Sequence, residues 1–139
     1  MPELPFKILG IEHVGIAAND LNGISDIFGD LLGLELRSRE KIDDQQVITD
    51  IYETGSGKLE FLKATDKNSP IAKFIDKNGR GMHHIALKVD NLQAALDYLK
   101  DQGFQLIDTS PRIGAEGFKI AFLHPKSTGG VLIELCEKK

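Results

Sequence analysis

Two stretches of this chain read alike, and that likeness constrains its fold more than any figure of composition. The segment 11–36, IEHVGIAANDLNGISDIFGDLLGLEL, is echoed by the segment 82–106, MHHIALKVDNLQAALDYLKDQGFQL. Each opens on a short apolar strand whose third residue is a histidine: His13 in IEH, His84 in MHH. Each then reaches a pair of side chains suited to capping a helix, Asn19-Asp20 and Asp90-Asn91. Apolar residues follow at three- and four-residue steps: Leu21, Ile24, Ile27, Phe28 and Leu31 in the first copy, Leu92, Ala95, Leu96 and Leu99 in the second. That spacing is one face of a helix. Gly33 and Gly103 supply the left-handed stop.

The rest of each copy is strand-like. VITDIYETGSGKLEFLKA turns at Gly55-Ser56-Gly57, and KIAFLHPKSTGGVLIELCE turns at Pro125 and Gly129-Gly130. Each final strand carries a glutamate between apolar neighbours, Glu60 in KLEFL and Glu134 in LIELC. The histidine-to-glutamate intervals are close: 60−13 is 47 and 134−84 is 50. The expectation is an α+β fold of two βαβββ modules, about 8–64 and about 81–137, within a single domain over 1–139. Between them SPIAKFIDKNG predicts a linking helix over about 69–79, with Ser69 as its cap, Pro70 as its first residue and Gly79 as its stop.

Neighbouring residues of a strand face opposite sides. Glu60 therefore points away from Leu59 and Phe61, and Glu134 from Ile133 and Leu135, toward the concave side. A glutamate buried among apolar residues is costly unless it is paired or binds a metal. If the two modules are related by a pseudo-twofold, His13, Glu60, His84 and Glu134 converge on one His₂Glu₂ metal site. Imidazole with carboxylate suits Co²⁺, Mn²⁺, Ni²⁺ or Zn²⁺. An octahedral ion would keep two positions for water or a chelating substrate, as a Lewis-acid catalyst requires. His83 must face the other side of its strand from His84. His124, before Pro125, is expected near the mouth of the site or in a structural role, and Cys136 is read as a small packing residue.

The net charge of −4 argues against nucleic acid as a partner. No apolar run approaches the roughly 20 residues of a membrane span. The N-terminal MPELPFKILG lacks the basic and apolar regions of a secretory signal. The single cysteine suits a reducing compartment, so a cytoplasmic location is expected.

The paired modules with His, Glu, His and Glu resemble the vicinal oxygen chelate superfamily, or glyoxalase fold, an open β-barrel-like architecture. Within it, SPIAKFIDKNGRGMHHIAL and FLHPKSTGGVLIELCE are similar to methylmalonyl-CoA epimerases. The resemblance runs from about residue 11 to 137. It implies that His13, Glu60, His84 and Glu134 are the ligands of one divalent ion per chain. It also implies a homodimer acting on a small acyl-CoA. The implied reaction interconverts the C2 epimers of methylmalonyl-CoA by proton abstraction and redelivery through an enolate that the metal stabilises. Many relatives carry glutamine where Glu60 stands, and glutamate there equally matches a lactoylglutathione lyase, the alternative activity. Inversion needs proton delivery on both faces of C2. Glu134 is one expected catalytic group. Some epimerases place a second glutamate base on the strand before Glu60, where this chain reads QQVITDIY. That leaves Thr49, through a bound water, or Asp50 for the second role, and strand parity admits only one of them. Lys126 or Arg112 could meet the phosphates of the CoA moiety, and a solvated surface position accounts for both equally well.

Overall fold

The computed structural model describes residues 3–138, and they fall into two compact units, residues 13–83 and residues 3–12 with 84–138. Among the described residues no helix is long and apolar enough to cross a membrane.

In the first module of the repeat, β1 (Ile8–Ala17) leads through a short helix α1 (Leu21–Ile24) to β2 (Glu35–Ile42), β3 (Val47–Glu53) and β4 (Lys58–Ala64). The strands run in the order β2-β3-β4-β1, antiparallel except that β1 lies parallel to β4. The second module repeats this with β5 (Gly81–Val89), α3 (Leu92–Asp101), β6 (Arg112–Ile113), β7 (Lys119–Leu123) and β8 (Ile133–Glu137). There β5 is parallel to β8, and β8, β7 and β6 follow antiparallel. The linking helix α2 (Pro70–Asn78) has the expected signals. Ser69 Oγ accepts from the Ile71 N–H at 3.1 Å, and Gly79 has a φ of 79°. These are the two βαβββ modules expected from the repeat.

The helix faces explain why the copies were readable. In α3, Asn91 Oδ1 accepts from the Ala94 N–H, while Leu92, Ala95 and Leu96 are buried against Val89, Ala121, Leu123 and Leu135. The Leu92 N–H donates to Glu137 Oε1 at 2.7 Å, which ties the helix start to β8. At its end the Phe104 N–H returns to the Leu99 carbonyl around Gly103, φ 81°.

The first copy departs from its expected stripe. Asp20 caps α1 as expected, but residues 25–31 are wound as a π-helix, with the Leu32 N–H reaching five residues back to Ile27. The wider turn rotates later residues off the apolar face. Leu21, Ile24 and Phe28 still pack toward Tyr52 and Phe61, with Phe28 4.7 Å from Phe61 ring to ring. Ile27 and Leu31 are instead 48% and 80% exposed, so they are not part of the core face that their spacing suggested.

Strand alternation then sorts the sheet residues. In β4, Leu59 and Phe61 join the cluster under α1, whereas Leu62 packs with Ala17, Val47 and Ile71 of α2 on the opposite side. In β8, Leu135 and Ile133 lie under α3, and Cys136 joins Ala86, Ile120 and Phe122 on the other side. Glu60 and Glu134 are left on the sides away from α1 and α3.

Candidate active site

Each module buries one histidine–glutamate pair, and the register shows how. In the first, β1 and β4 align His13 with Lys58 and Gly15 with Glu60. In the second, β5 and β8 align Ala86 with Glu134, so that His84 stands two residues before the partner of its glutamate, as His13 does. The residue opposite each carboxylate is small, glycine or alanine, which leaves room for the histidine two places back. His13 Nδ1 lies 3.0 Å from Glu60 Oε2, with the side chains 6% and 5% exposed. His84 Nε2 lies 3.3 Å from Glu134 Oε1, at 4% and 7%.

Two carboxylates this deeply buried need a counter-charge or donor, and each has an imidazole within reach. One neutral nitrogen and one anionic oxygen per pair is the donor chemistry of a divalent transition ion. The residues present therefore fit the metal that the sequence implied.

The environment of each pair comes from its own module. His84 meets the Phe122 ring edge-on at 5.5 Å, and Phe122 stands opposite Glu134 in the sheet. Phe122 in turn carries the Arg112 guanidinium over its face at 5.6 Å, and Arg112 Nε is 3.4 Å from Asp108 Oδ1. Arg112 is thus engaged beside the His84 pair. His83 is turned the other way, as parity requires, with its ring edge-on to Phe74 of α2 at 4.9 Å. His124 Nδ1 accepts from the Lys126 N–H at 3.1 Å and caps the short turn 125–127. Cys136 is a buried packing residue whose thiol donates to the Leu87 carbonyl at 3.6 Å.

The register also separates the two candidates that QQVITDIY left open. On β3, Ile51 pairs with Glu60 and Thr49 with Leu62, so Thr49 shares the side of Glu60. Asp50 pairs with Phe61 and faces the other way. Its carboxylate is fully buried and gripped by Arg39, Nε to Oδ1 at 2.6 Å and Nη2 to Oδ2 at 2.9 Å. That hydrogen bond, and then the Coulomb attraction, raise the Arg39 pKa above its ordinary value. The expectation of Asp50 as a base is corrected accordingly: the aspartate serves an ion pair on the side away from Glu60. Thr49 is also fully buried, and its Oγ1 has no hydrogen-bond partner among the described residues. Two buried charged residues escaped the sequence reading, Lys58 at 8% exposure and Glu12 at 3%. Glycine and alanine opposite the glutamates were the available signal for the pairs; for Lys58 the signal was its strand parity with Glu60.

Comparison with known proteins bears on this arrangement. Residues 12–122 match the glyoxalase/bleomycin resistance protein/dioxygenase superfamily. The chain is 36% identical over 131 residues to the mitochondrial methylmalonyl-CoA epimerase of Mus musculus, covering 94% of this chain and 74% of that one. It belongs to the methylmalonyl-CoA epimerase family. The uncharacterized protein YqjC of Bacillus subtilis (strain 168) is 41% identical over 129 residues, 93% of this chain and 92% of that protein. A solved methylmalonyl-CoA epimerase in complex with methylmalonyl-CoA and NH4⁺ superposes with a TM-score of 0.89 at 32% identity, covering 95% of this chain and 96% of that one. In this epimerase family member, the paired modules and their buried histidine–glutamate pairs are the features to explain.

Proposed function

We propose that the chain interconverts the C2 epimers of methylmalonyl-CoA, using one divalent ion held jointly by His13, Glu60, His84 and Glu134. The observation that carries this reading is the pair of buried His–Glu contacts at equivalent register positions, in a chain whose named relatives are methylmalonyl-CoA epimerases. Co²⁺, Mn²⁺, Ni²⁺ and Zn²⁺ all suit two imidazoles and two carboxylates. A bound ion of this kind supplies Lewis-acid stabilisation, several kcal/mol, for the negative charge that grows on a thioester oxygen as the C2 proton leaves.

The protein's own groups then move the proton. Glu134 takes it at a carboxylate oxygen, from its buried place beside His84. Delivery to the opposite face needs a second group, and Thr49 is the residue of β3 on the side of Glu60 with an uncommitted hydroxyl among the described residues. A hydroxyl is too weak a base to act alone, so Thr49 holds the water that exchanges the proton. Phe122 and Ile51 limit the access of bulk water to the two pairs.

The same reading takes the active form to be a cytoplasmic homodimer. Ile8, Leu9 and Ile11 at the start of β1 are each about half exposed, an apolar surface that a second copy would cover. The buried thiol of Cys136 suits a reducing compartment. The decisive experiment is exchange at C2 of methylmalonyl-CoA in D₂O, followed by NMR or mass spectrometry. Enzyme-dependent deuterium uptake from both epimers supports the reading, and no uptake with metal-loaded protein removes it.

A further inference from the structure

Lys58 is a buried cation that the chemistry above does not use. It is 8% exposed, stands in register with His13, and precedes Glu60 by two residues on the same strand. The side chains of His13, Lys58 and Glu60 therefore share one side of the β1–β4 pair. Two residues of strand span about 7 Å, well within reach of a four-carbon stem. An ammonium is almost never buried without a carboxylate to balance it; two buried carboxylates, Glu60 and Glu12, lie within 4.8 Å of His13 and of each other, and Glu60 is the one that shares the strand and the side of Lys58. Imidazole at 3.0 Å orients Glu60 Oε2 but, when neutral, does not cancel its charge.

We propose that Lys58 is the counter-charge of Glu60, a positioning residue that keeps this carboxylate folded in and aimed beside His13. The pairing has two consequences. Removing Lys58 leaves a buried, unbalanced carboxylate and destabilises the metal-free protein. It also removes a positive charge beside the place proposed for a cation, so a divalent ion binds more tightly. A residue that merely filled space would produce the first effect without the second. Only the second consequence rests on the proposed reading of Glu60 as a metal ligand.

The test is a double-mutant cycle on the full chain with Lys58→Met and Glu60→Gln, read by thermal melting after chelation and by Co²⁺ titration against a chromophoric chelator. Lys58→Met is expected to lower the melting temperature of the metal-free protein by roughly 10 °C. In the Glu60→Gln background the same change should cost less than half of that. Co²⁺ affinity should rise roughly tenfold in Lys58→Met and not in the double variant. If Lys58→Met alone does not fold, its effect within Glu60→Gln still decides: a loss there as large as 10 °C overturns the pairing. Rescue by Glu12→Gln in place of Glu60→Gln would assign Lys58 to the neighbouring buried carboxylate and overturn it as well. A fall in Co²⁺ affinity in Lys58→Met would do the same. Failure of the metal reading is distinguishable, because wild-type protein would then bind no ion while the thermal cycle still reports on the pair.

Discussion

Replacing Asp50 with asparagine separates a structural carboxylate from a catalytic one, because it keeps the shape and removes the charge. The pair it breaks is well defined: Arg39 Nε at 2.6 Å and Nη2 at 2.9 Å from a fully buried carboxylate. A hydrogen bond to a charged group contributes about 1.5–3 kcal/mol when shielded from water. The Arg39 side chain is 53% exposed, so water replaces much of what it loses. Discounting for that exposure leaves about 2 kcal/mol for the whole pair. In a chain of this size that is a fall of roughly 8 °C in melting temperature. The sign of any pH dependence through Arg39 follows from its raised pKa. A raised value gives stability that is complete below the ordinary guanidinium pKa and is lost only as pH rises through the folded one. Near neutrality the Arg39 contribution is therefore flat. Calorimetry, metal analysis and initial rates from each epimer give the three readings needed. The expected result is a lower melting temperature, unchanged metal content and rates within about twofold in both directions. A hundredfold loss in one direction at unchanged melting temperature would place Asp50 in proton transfer and refute the β3–β4 register used here.

Three further outcomes follow from the proposed site. Purified protein should carry about one divalent ion per chain, and His84→Ala should lose it, as elemental analysis would show; wild-type stoichiometry in that variant removes His84 from the ligands. Methylmalonyl-CoA should be the substrate, and robust lactoylglutathione formation from methylglyoxal and glutathione, with no C2 exchange on methylmalonyl-CoA, would favour the lyase instead. With its metal content matched to that of the wild type, Glu134→Gln should slow proton removal from one epimer by roughly 10²–10⁴-fold, while the far-ultraviolet circular dichroism stays that of the wild type. Equal slowing from both epimers would count against Glu134 as a one-sided base.

The two βαβββ modules were legible because their signals are local. A cap such as Asn91, a stripe such as Leu92, Ala95 and Leu96, and a glycine such as Gly103 each act within a few residues. The pairing of histidine with glutamate was legible for a different reason. Alternation along β4 and β8 forces Glu60 and Glu134 away from the residues packed under α1 and α3. What failed was whatever depended on exact winding or register. Ile27 and Leu31 fit a helical stripe as well as Ile24 does, but one π-turn moved them into solvent. Thr49 and Asp50 could not be told apart until the partners of β3 were known. Arg112 reads as a surface cation in the sequence, since nothing near it announces that Phe122 and Asp108 will hold it.

In the proposed mechanism, Thr49 sets endurance against turnover at a single atom. Its hydroxyl is buried without a hydrogen-bond partner among the described residues, a condition that costs about 1–3 kcal/mol relative to an apolar group of the same shape. Valine is that group, so Thr49→Val should raise the melting temperature by several degrees and slow the reaction, the usual trade between robustness and activity. If both change in those directions, the strand has been giving up heat resistance to keep an oxygen where a methyl would sit more comfortably.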